Sequence, residues 1–464
     1  MKKFLFIILA LIVSASCERI IDEFAPNRGG ADFTKYVAVG NSLTAGFTDG
    51  ALYLSGQQFS ISNILAGQFR LVGGGEFRQP LIATENGVGF TPIPGGLYYF
   101  TKRILKVLPV YDCTGQQTGT TLKPDFAVVN PDQAQLQQEL FAPPTVAGPY
   151  NNMGVPMIRV KELFIPGYGH PQFGNPYFAR FATSTTTTVI QDAIAQEPTF
   201  FSLWIGNNDV LISAYAGTDA LITPVDTFTL YFNMAVNALV NSPKSPNGIL
   251  ANIPDITTIP FFNTISKKLP YNSVVLDTAQ AAGLNQRYAM YGHPEITWQP
   301  GQNPFVITTT TGQWVRMGAE DLFLLTLPTD SVQCRGMGVE NPTTLTPYPI
   351  PGKYVLQKSE IDNLKAAIAA YNQKISDAAD LYGLALVNMN QLMVPYTFPS
   401  GMVFDGVTIS TTFVTGGMFS TDGIHLCPRG NAVAVNYFIQ AINGQYGSKI
   451  PEVDITSYSG LVFP

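Results

Sequence analysis

Four short apolar runs, separated by segments with helical periodicity, dominate the pattern of hydrophobic and polar positions along the chain. They are at 36–40, 199–206, 248–254 and 385–389. Apolar runs of this length, without strict alternation, are typical of strands in a parallel sheet that is covered on both faces. The pattern therefore predicts a mainly parallel sheet at the centre of the chain.

The clearest helix is predicted over 359–382. Apolar residues recur there every three or four positions, Ser359 can cap the start, and Gly383 stands just past the end. The remaining predictions are shorter helices and one hairpin: helices at 58–69, 157–163, 189–195, 230–241 and 432–442, and a β-hairpin at 401–415. Strands that alternate with helices predict an α/β fold with helices on both faces of the sheet.

Two long segments, at 51–147 and 262–352, interrupt this alternation and are rich in Gly, Pro and polar residues. Each follows a predicted strand end, so both insertions are expected to leave the sheet on its carboxyl rim, to flank a site there and to set the substrate. Their Pro, Gly and aromatic content favours rigid walls. Cys113 lies in the first insertion and Cys334 in the second, and the sequence leaves their pairing open.

Composition narrows the classes of function. Hydrophobic residues make up 46% of the 464 residues and charged residues 12%, with a net charge of -6. The hydrophobic content excludes a disordered chain and predicts a sizeable core. The negative net charge gives no indication of a basic surface that could bind a nucleic acid. The four cysteines are too few for a disulfide scaffold in a chain of this length.

The first residues resemble a bacterial lipoprotein signal. Lys2 and Lys3 precede an apolar run at 4–13, which is too short to span a bilayer and fits a secretory signal. Residues 14–17, Ser-Ala-Ser-Cys, resemble a lipobox, in which the signal is removed before a cysteine that is then lipidated. Ser14 departs from the leucine that is commonest at its position.

This resemblance implies a signal peptide at 1–16, a lipidated tether at 17–30 that begins with Cys17, and one domain at 31–464. The protein is then expected in the cell envelope, anchored to the outer membrane or cell surface, with the periplasm left open. The alternative is a soluble secreted protein whose Cys17 is discarded with the signal.

Ser42 and His425 are the candidate reacting residues. Ser42 directly follows the first strand, on a turn after Gly40, where a serine hydroxyl is held out toward solvent. The alternative is an ordinary turn. His425 lies three residues after Asp422, so the carboxylate can hold one ring nitrogen while the other takes a serine proton. Ser42 and Asn208 both follow strand ends and are expected on one rim of the sheet.

Four short blocks in the same order resemble the SGNH, or GDSL, hydrolase family. Residues 40–43 read Gly-Asn-Ser-Leu and are similar to the family's Gly-Asp-Ser-Leu, with Asn41 in place of the usual aspartate. The others are Asn-Met-Gly-Val at 152–155, Gly-Asn-Asn-Asp at 206–209 and Asp-Gly-Ile-His at 422–425. The two insertions lie outside the resemblance.

The resemblance implies a flavodoxin-like, three-layer α/β/α sandwich and hydrolysis of carboxylic esters without a metal or cofactor. Ser42 would be the nucleophile, His425 the general base and Asp422 the residue that orients it. The oxyanion would be bound by the amides of Ser42 and Gly154 and by the side chain of Asn208. Gly167, Gly169 or Gly174 could take the place of Gly154.

The substrate class stays open at this level. A lipase or esterase and a carbohydrate O-deacetylase both fit, acting on a small-molecule, glycan or lipid ester. The alternatives are an acyltransferase and a non-catalytic surface lipoprotein that binds a glycan or lipid on the same fold. His170 and His293 lie in Pro- and Gly-rich loops without the spacing of a metal site and are expected at the surface.

Overall fold

The computed structural model describes residues 24–94 and 96–464. A five-stranded parallel sheet lies at its centre, formed by β1 (Tyr36–Gly40), β6 (Asn152–Gly154), β7 (Phe200–Trp204), β8 (Asn247–Ala251) and β18 (Ala385–Val387). The order across the sheet is β18–β8–β7–β1–β6, and every neighbouring pair is parallel. The predicted parallel sheet is confirmed, and β6 is an edge strand that the apolar pattern does not predict.

Helices cover both faces of this sheet. The helices of the described residues, including those of the insertions, are α1 (Ser42–Ala45), α2 (Leu54–Gln58), α3 (Ile61–Arg70), α4 (Gln133–Phe141), α5 (Pro176–Ala179), α6 (Val189–Ile194), α7 (Asn208–Tyr215), α8 (Val225–Val240), α9 (Pro260–Lys268), α10 (Thr278–Met290), α11 (Thr329–Arg335), α12 (Lys358–Tyr382), α13 (Met389–Leu392) and α14 (Pro428–Tyr446). Helices α14 and α3 pack together on one face, and α12, α8 and α6 pack on the other. The three-layer α/β/α sandwich is therefore present.

The remaining strands pair in small separate sheets outside the sandwich. They are β2 (Gly89–Ile93), β3 (Gly96–Phe100), β4 (Arg103–Tyr111), β5 (Gln117–Phe126), β9 (Val274–Leu276), β10 (Gly301–Asn303), β11 (Val306–Thr308), β12 (Trp314–Arg316), β13 (Leu322–Phe323), β14 (Val339–Glu340), β15 (Pro347–Tyr348), β16 (Ile350–Pro351), β17 (Val355–Leu356), β19 (Met402–Phe404) and β20 (Val407–Ile409). The predicted hairpin at 401–415 is the pair β19–β20.

Burial explains why the central strands lack alternation. All five residues of β1 and all five of β7 are buried, because the sheet has helices on both sides. Apolar side chains are therefore required on both faces of each strand. Strand β6 has only three residues, of which Met153 alone has a large apolar side chain, so no apolar run marks it.

The ends of two helices differ from the sequence-based predictions. Gln357, not Ser359, caps α12, because the side chains of Gln357 and Glu360 form a capping box. The predicted stop at Gly383 is confirmed by its left-handed conformation. Helix α14 continues through 443–444 and ends at Gly447, so the predicted end at 442 is wrong.

Two predicted boundaries are also wrong. Residues 27–30 belong to the fold and not to a tether, because Asn27 forms a bridge with Lys449 and the Gly30 amide donates to the carbonyl of Tyr446 at 2.8 Å. Helix α3, which was placed in the first insertion, packs on α14 with Leu65 and Phe69 in the main core. The predicted signal peptide and Cys17 lie outside the described residues.

A disulfide between Cys113 and Cys334 joins the two insertions. Cys113 follows β4 in the long β4–β5 hairpin, and Cys334 lies on α11. The pairing that the sequence left open is therefore settled, and the hairpin is tied at its tip to the second insertion. Among the helices of residues 24–94 and 96–464, none has the length and hydropathy needed to cross a membrane.

Candidate active site

Ser42 lies where β1 ends and α1 begins. Gly40 permits this sharp change of direction, because a Cβ there would stand 2.6 Å from the carbonyl oxygen of Trp204 and 2.2 Å from Oγ1 of Thr44. Asn41 caps the helix, since its side chain accepts a hydrogen bond from the Leu43 amide at 3.0 Å. The serine is thus fixed in the first turn of a helix at the carboxyl rim of the sheet.

Three of the predicted residues form one continuous hydrogen-bonded chain. Nε2 of His425 is 2.9 Å from Oγ of Ser42, and Nδ1 of His425 is 2.8 Å from Oδ2 of Asp422. Ser42 and Asp422 are each 8% exposed. The ring of Phe47 packs on the imidazole with 4.9 Å between centroids. The arrangement allows a proton to pass from Ser42 to His425 while the carboxylate holds the opposite nitrogen.

The carboxylate of Asp422 is saturated with donors. Its Oδ1 accepts from Oγ of Ser420 at 3.0 Å and from the amides of Ile424 and His425 at 2.8 and 2.9 Å. Burial alone would raise the pKa of Asp422, but attraction to His425 and these hydrogen bonds hold that pKa well below its usual range. Asp422 is therefore a stable anion next to the imidazole.

The turn at Asp49 and Gly50 supplies a further donor that the sequence analysis missed. The Gly50 amide donates to Oδ2 of Asp422 at 2.8 Å. Asp49 and Gly50 have φ of 55° and 79°, and Thr48 and Ala51 exchange backbone hydrogen bonds across them. Asp-Gly is a strong signal for such a turn. The signal predicts the turn but not its partner, which lies 372 residues away.

Asp49 holds this turn against the loop that carries Asp422. Its Oδ1 accepts from the amide and the hydroxyl of Thr421 at 2.9 and 2.7 Å, and its Oδ2 accepts from the hydroxyl of Tyr53 at 2.6 Å. The Asp49 amide donates to Oγ of Ser420, which in turn donates to Asp422. Burial raises the pKa of Asp49. The turn just before the first insertion thus braces the Asp422 loop.

The structure gives a reason for asparagine at position 41. Nδ2 of Asn41 donates to Oδ1 of Asn207 at 3.0 Å. An aspartate at position 41 would have no hydrogen to donate to this oxygen. Asn41 therefore ties the turn that carries Ser42 to the loop after β7.

Asn208 is placed to donate into the same cleft. It begins α7, and its Nδ2 donates to the carbonyl oxygen of Ile158 at 2.9 Å. A carboxamide has two hydrogens on nitrogen, so one remains for another acceptor. Ser42, Asn208 and His425 all line one cleft. The Ser42 amide, in the first turn of α1, has no acceptor among the described residues.

Gly154 does not meet the prediction made for it. Its amide donates to Oδ1 of Asn152 at 2.9 Å, and the residue does not line the cleft. It ends β6, in register with Gly40 at the end of β1, so it lies at the carboxyl rim, but its N–H is already bonded to the side chain of Asn152. The alternatives Gly167, Gly169 and Gly174 do not line the cleft either.

Met157 occupies a strained turn in the loop after β6, and it does not line the cleft. It has a φ of 69°, which is unusual for a side chain of its size, in a turn closed by the Ile158 amide donating to the carbonyl of Val155 at 3.3 Å. Its own N–H has no partner among the described residues. It adjoins Ile158, whose carbonyl holds Asn208. Only a glycine would have marked this turn in the sequence.

Asp209 holds the segment at Val160 in place through a buried hydrogen bond. It is fully buried, and its Oδ2 accepts from the Val160 amide at 3.0 Å. Its Oδ1 has no partner among the described residues. Burial raises the pKa of Asp209 from 3.8 to about 6. The folded state therefore disfavours the ionised carboxylate.

We expect the stability of the Asp209→Asn variant, relative to wild type, to increase as pH rises. The pKa of Asp209 is higher in the folded chain than in the unfolded chain, so wild-type stability falls as pH increases through about 4 to 6. Asparagine does not titrate. The difference in unfolding free energy, variant minus wild type, should rise by about 2–3 kcal/mol between pH 4 and pH 7.5. Urea unfolding at several pH values measures it, and a difference that does not vary with pH would contradict it.

The insertions brace the site more than they line it. The hydroxyl of Thr421 donates to the carbonyl of Arg103, and the amide of Phe261, just before the second insertion, donates to the carbonyl of Gly423. Among the described residues, the cleft is lined from the loops at strand ends and by none from 51–147 or 262–352. The insertions therefore flank the site as predicted, but they do not form the wall of its cleft.

The two other histidines lie apart from this cleft. His170 stacks on Phe173, and His293 stacks on Trp314 with its Nδ1 2.9 Å from Oε1 of Glu295. In the part of the chain that the structure describes, no group of three or more His, Cys, Asp or Glu side chains is arranged to hold a metal ion.

No family model and no curated protein matches the chain. Similar solved structures include an extracellular lipase from Streptomyces rimosus (10% identity, 88% of this chain and 99% of the other, TM-score 0.35). Another is a GDSL-like lipase from Parabacteroides merdae (11% identity, 90% of this chain and 100% of the other, TM-score 0.34). A third is a peptidoglycan O-acetylesterase (10% identity, 90% of this chain and 93% of the other, TM-score 0.33). At these TM-scores the likenesses carry no argument about activity, so the geometry of the cleft must carry it.

Proposed function

We propose that this protein is an SGNH-type serine hydrolase that cleaves carboxylic esters. The observation that carries the proposal is the chain from Oγ of Ser42 through His425 to Asp422, with contacts of 2.9 and 2.8 Å. A serine hydroxyl is a weak nucleophile unless a base accepts its proton as it attacks. In this hydrogen-bonded chain His425 is that base, and Asp422 holds it in the tautomer that accepts a proton at Nε2.

The reaction proceeds through an acyl-enzyme. Ser42 attacks the ester carbonyl while His425 takes its proton, and the imidazolium then protonates the leaving alkoxide. Water, activated by His425 in the same way, releases the acid and restores Ser42. Asp422 stays ionised throughout and stabilises the imidazolium, consistent with its lowered pKa.

The negative charge that develops on the carbonyl oxygen needs donors at the rim. The Ser42 amide and the free hydrogen on Nδ2 of Asn208 are two of them. Neither Gly154 nor Met157 lines the cleft, so no third donor is assigned.

Two other functions use the same fold. A lipoprotein that only binds a ligand would not need a serine bonded to a histidine that a carboxylate orients. The presence of these three hydrogen-bonded residues therefore favours catalysis. An acyltransferase differs only in what attacks the acyl-enzyme. Hydrolysis of a simple aryl ester by the purified protein, with and without an added alcohol, tests the proposal. Absence of turnover contradicts it, and new ester formed in place of free acid favours transfer.

We also propose that the protein is anchored in the cell envelope through Cys17. The support is the resemblance of 14–17 to a lipobox after a short apolar run. Mass spectrometry of the membrane-extracted protein should show Cys17 as the first residue, carrying acyl chains. Cys17→Ser should release the protein from the membrane fraction. A mature chain that starts elsewhere and lacks acyl groups would contradict the anchor and leave the enzymatic proposal untouched.

A further inference from the structure

We propose that the substrate of this site is an ester of an unbranched aliphatic acid of about eight to ten carbons, whose acyl chain lies in the cleft beside Ser42. The inference rests on the proposed function and deepens it, because it chooses between the acetyl and the fatty acyl groups that the sequence leaves open.

The cleft extends from Ser42 in one direction only. Besides the loop that carries His425, the loops after β1, β7, β8 and β18 line it. Among the described residues, the loop after β6 contributes none. Because the strand order is β18–β8–β7–β1–β6, the cleft runs along the carboxyl rim from Ser42 across β7 and β8 to the edge strand β18.

The strand spacing gives the length of this path. Neighbouring strands are about 4.8 Å apart, so the three steps from β1 to β18 cover about 14 Å. With C–C bonds of about 1.5 Å, each carbon advances an extended chain by roughly 1.3 Å. An extended acyl chain of about ten carbons therefore reaches from the serine to the far end of the cleft.

The chemistry of the wall matches an aliphatic chain. The polar side chains of the described lining are at its serine end: Asn41, Ser42, Asn207, Asn208 and His425. The other lining side chains are apolar, and the described lining holds no Asp, Glu, Lys or Arg. Those farthest from the serine along the rim come from the β8 and β18 loops: Pro254, Ile256, Ile259, Met389 and Met393. A glycan would find few hydrogen-bond partners on this wall. Each methylene buried there is expected to raise kcat/KM about fourfold.

The acyl side, rather than the alcohol side, belongs in this cleft. In deacylation, water must attack from the position that the alcohol has left, next to Nε2 of His425. That position has to be open to solvent, whereas an apolar wall offers water few hydrogen-bond partners. The part of the substrate that stays on Ser42 is the acyl group, so it is the part suited to the apolar path.

Two series of esters test the inference on the full-length protein. In the first, p-nitrophenyl esters vary from acetyl to dodecanoyl; in the second, acetates vary from ethyl to decyl. We expect kcat/KM to rise at least 100-fold from acetyl to octanoyl or decanoyl in the first series and to stay flat in the second. Acetyl as the best acyl group, or a rise along the alcohol series, would overturn the inference while leaving ester hydrolysis intact.

A substitution at the far end of the cleft tests where the acyl chain lies. Met393→Ala removes wall contacts near β18, and we expect the ratio of kcat/KM for decanoyl and butyryl esters to fall about tenfold. Met234→Ala, at an exposed methionine on α8 outside the cleft, should leave all rates unchanged. An unchanged ratio in Met393→Ala would overturn the placement. If Met393→Ala fails to fold, the two wild-type series still decide. If no ester in either series is cleaved, the proposed function itself fails.

Discussion

Ser42→Ala is expected to lower the rate of ester hydrolysis by about 10⁴- to 10⁶-fold, because it removes the nucleophile from the hydrogen-bonded chain. His425→Ala should cause a loss of similar size, since the two residues act as a unit and neither works without the other. Neither change should alter the fold, because alanine suits the helix position of Ser42, and Asp422 keeps its Ser420 and backbone donors in His425→Ala. Steady-state kinetics on an aryl ester, with circular dichroism as the check on folding, measures both.

Matched controls separate chemistry from structure. Ser202 is a buried serine on β7 whose hydroxyl is bonded to the hydroxyl of Tyr36 at 2.7 Å, away from the cleft. His293 pairs with the carboxylate of Glu295 but has no serine partner in the described structure. Ser202→Ala and His293→Ala should each keep turnover close to that of wild type. Wild-type turnover in Ser42→Ala would show that the assignment of the nucleophile is wrong.

Asn208→Ala is expected to reduce kcat by about 10²- to 10³-fold with KM nearly unchanged. The free hydrogen of its carboxamide donates to an oxygen that becomes negative only in the transition state, so the ground state loses little. The neighbouring Asn207 is the matched control. Its side chain accepts from Asn41 and supports the turn, so Asn207→Ala should cost far less.

Two results would contradict this assignment. If the two asparagine variants behave alike, the donor is not specific to position 208. If Asn208→Ala chiefly raises KM, the residue binds the substrate instead of the oxyanion. Because Asn208 also holds the carbonyl of Ile158, thermal unfolding of the variant is needed to show that the loop beside it remains in place.

Local sequence was sufficient to predict the positions of site residues that follow a strand end or lie a few residues apart. Ser42 and Asn208 each follow a buried apolar strand, and parallel strands bring such ends to one rim. Asp422 and His425 are three residues apart, which is enough for the carboxylate to reach the ring. The catalytic roles themselves stay predictions until activity is measured.

Sequence was insufficient where an interaction joins distant segments. The Asp49–Gly50 turn can be predicted from its dipeptide, but its contact with Asp422 arises only from the fold. The resemblance of the short block at 152–155 points to Gly154, but such a resemblance cannot show that its amide is bonded to the side chain of Asn152. Helix α3 was placed in an insertion because loop composition surrounds it, although its apolar face packs in the sandwich.

Covalent labelling with a fluorophosphonate, followed by peptide mapping, tests the central claim most directly, because the reagent reacts with a serine only when a base activates it. We predict a single modified residue in the wild-type protein, Ser42, and no labelling in His425→Ala at the same concentration. Labelling at another serine, or equal labelling of Ser42 in wild type and His425→Ala, would contradict the account.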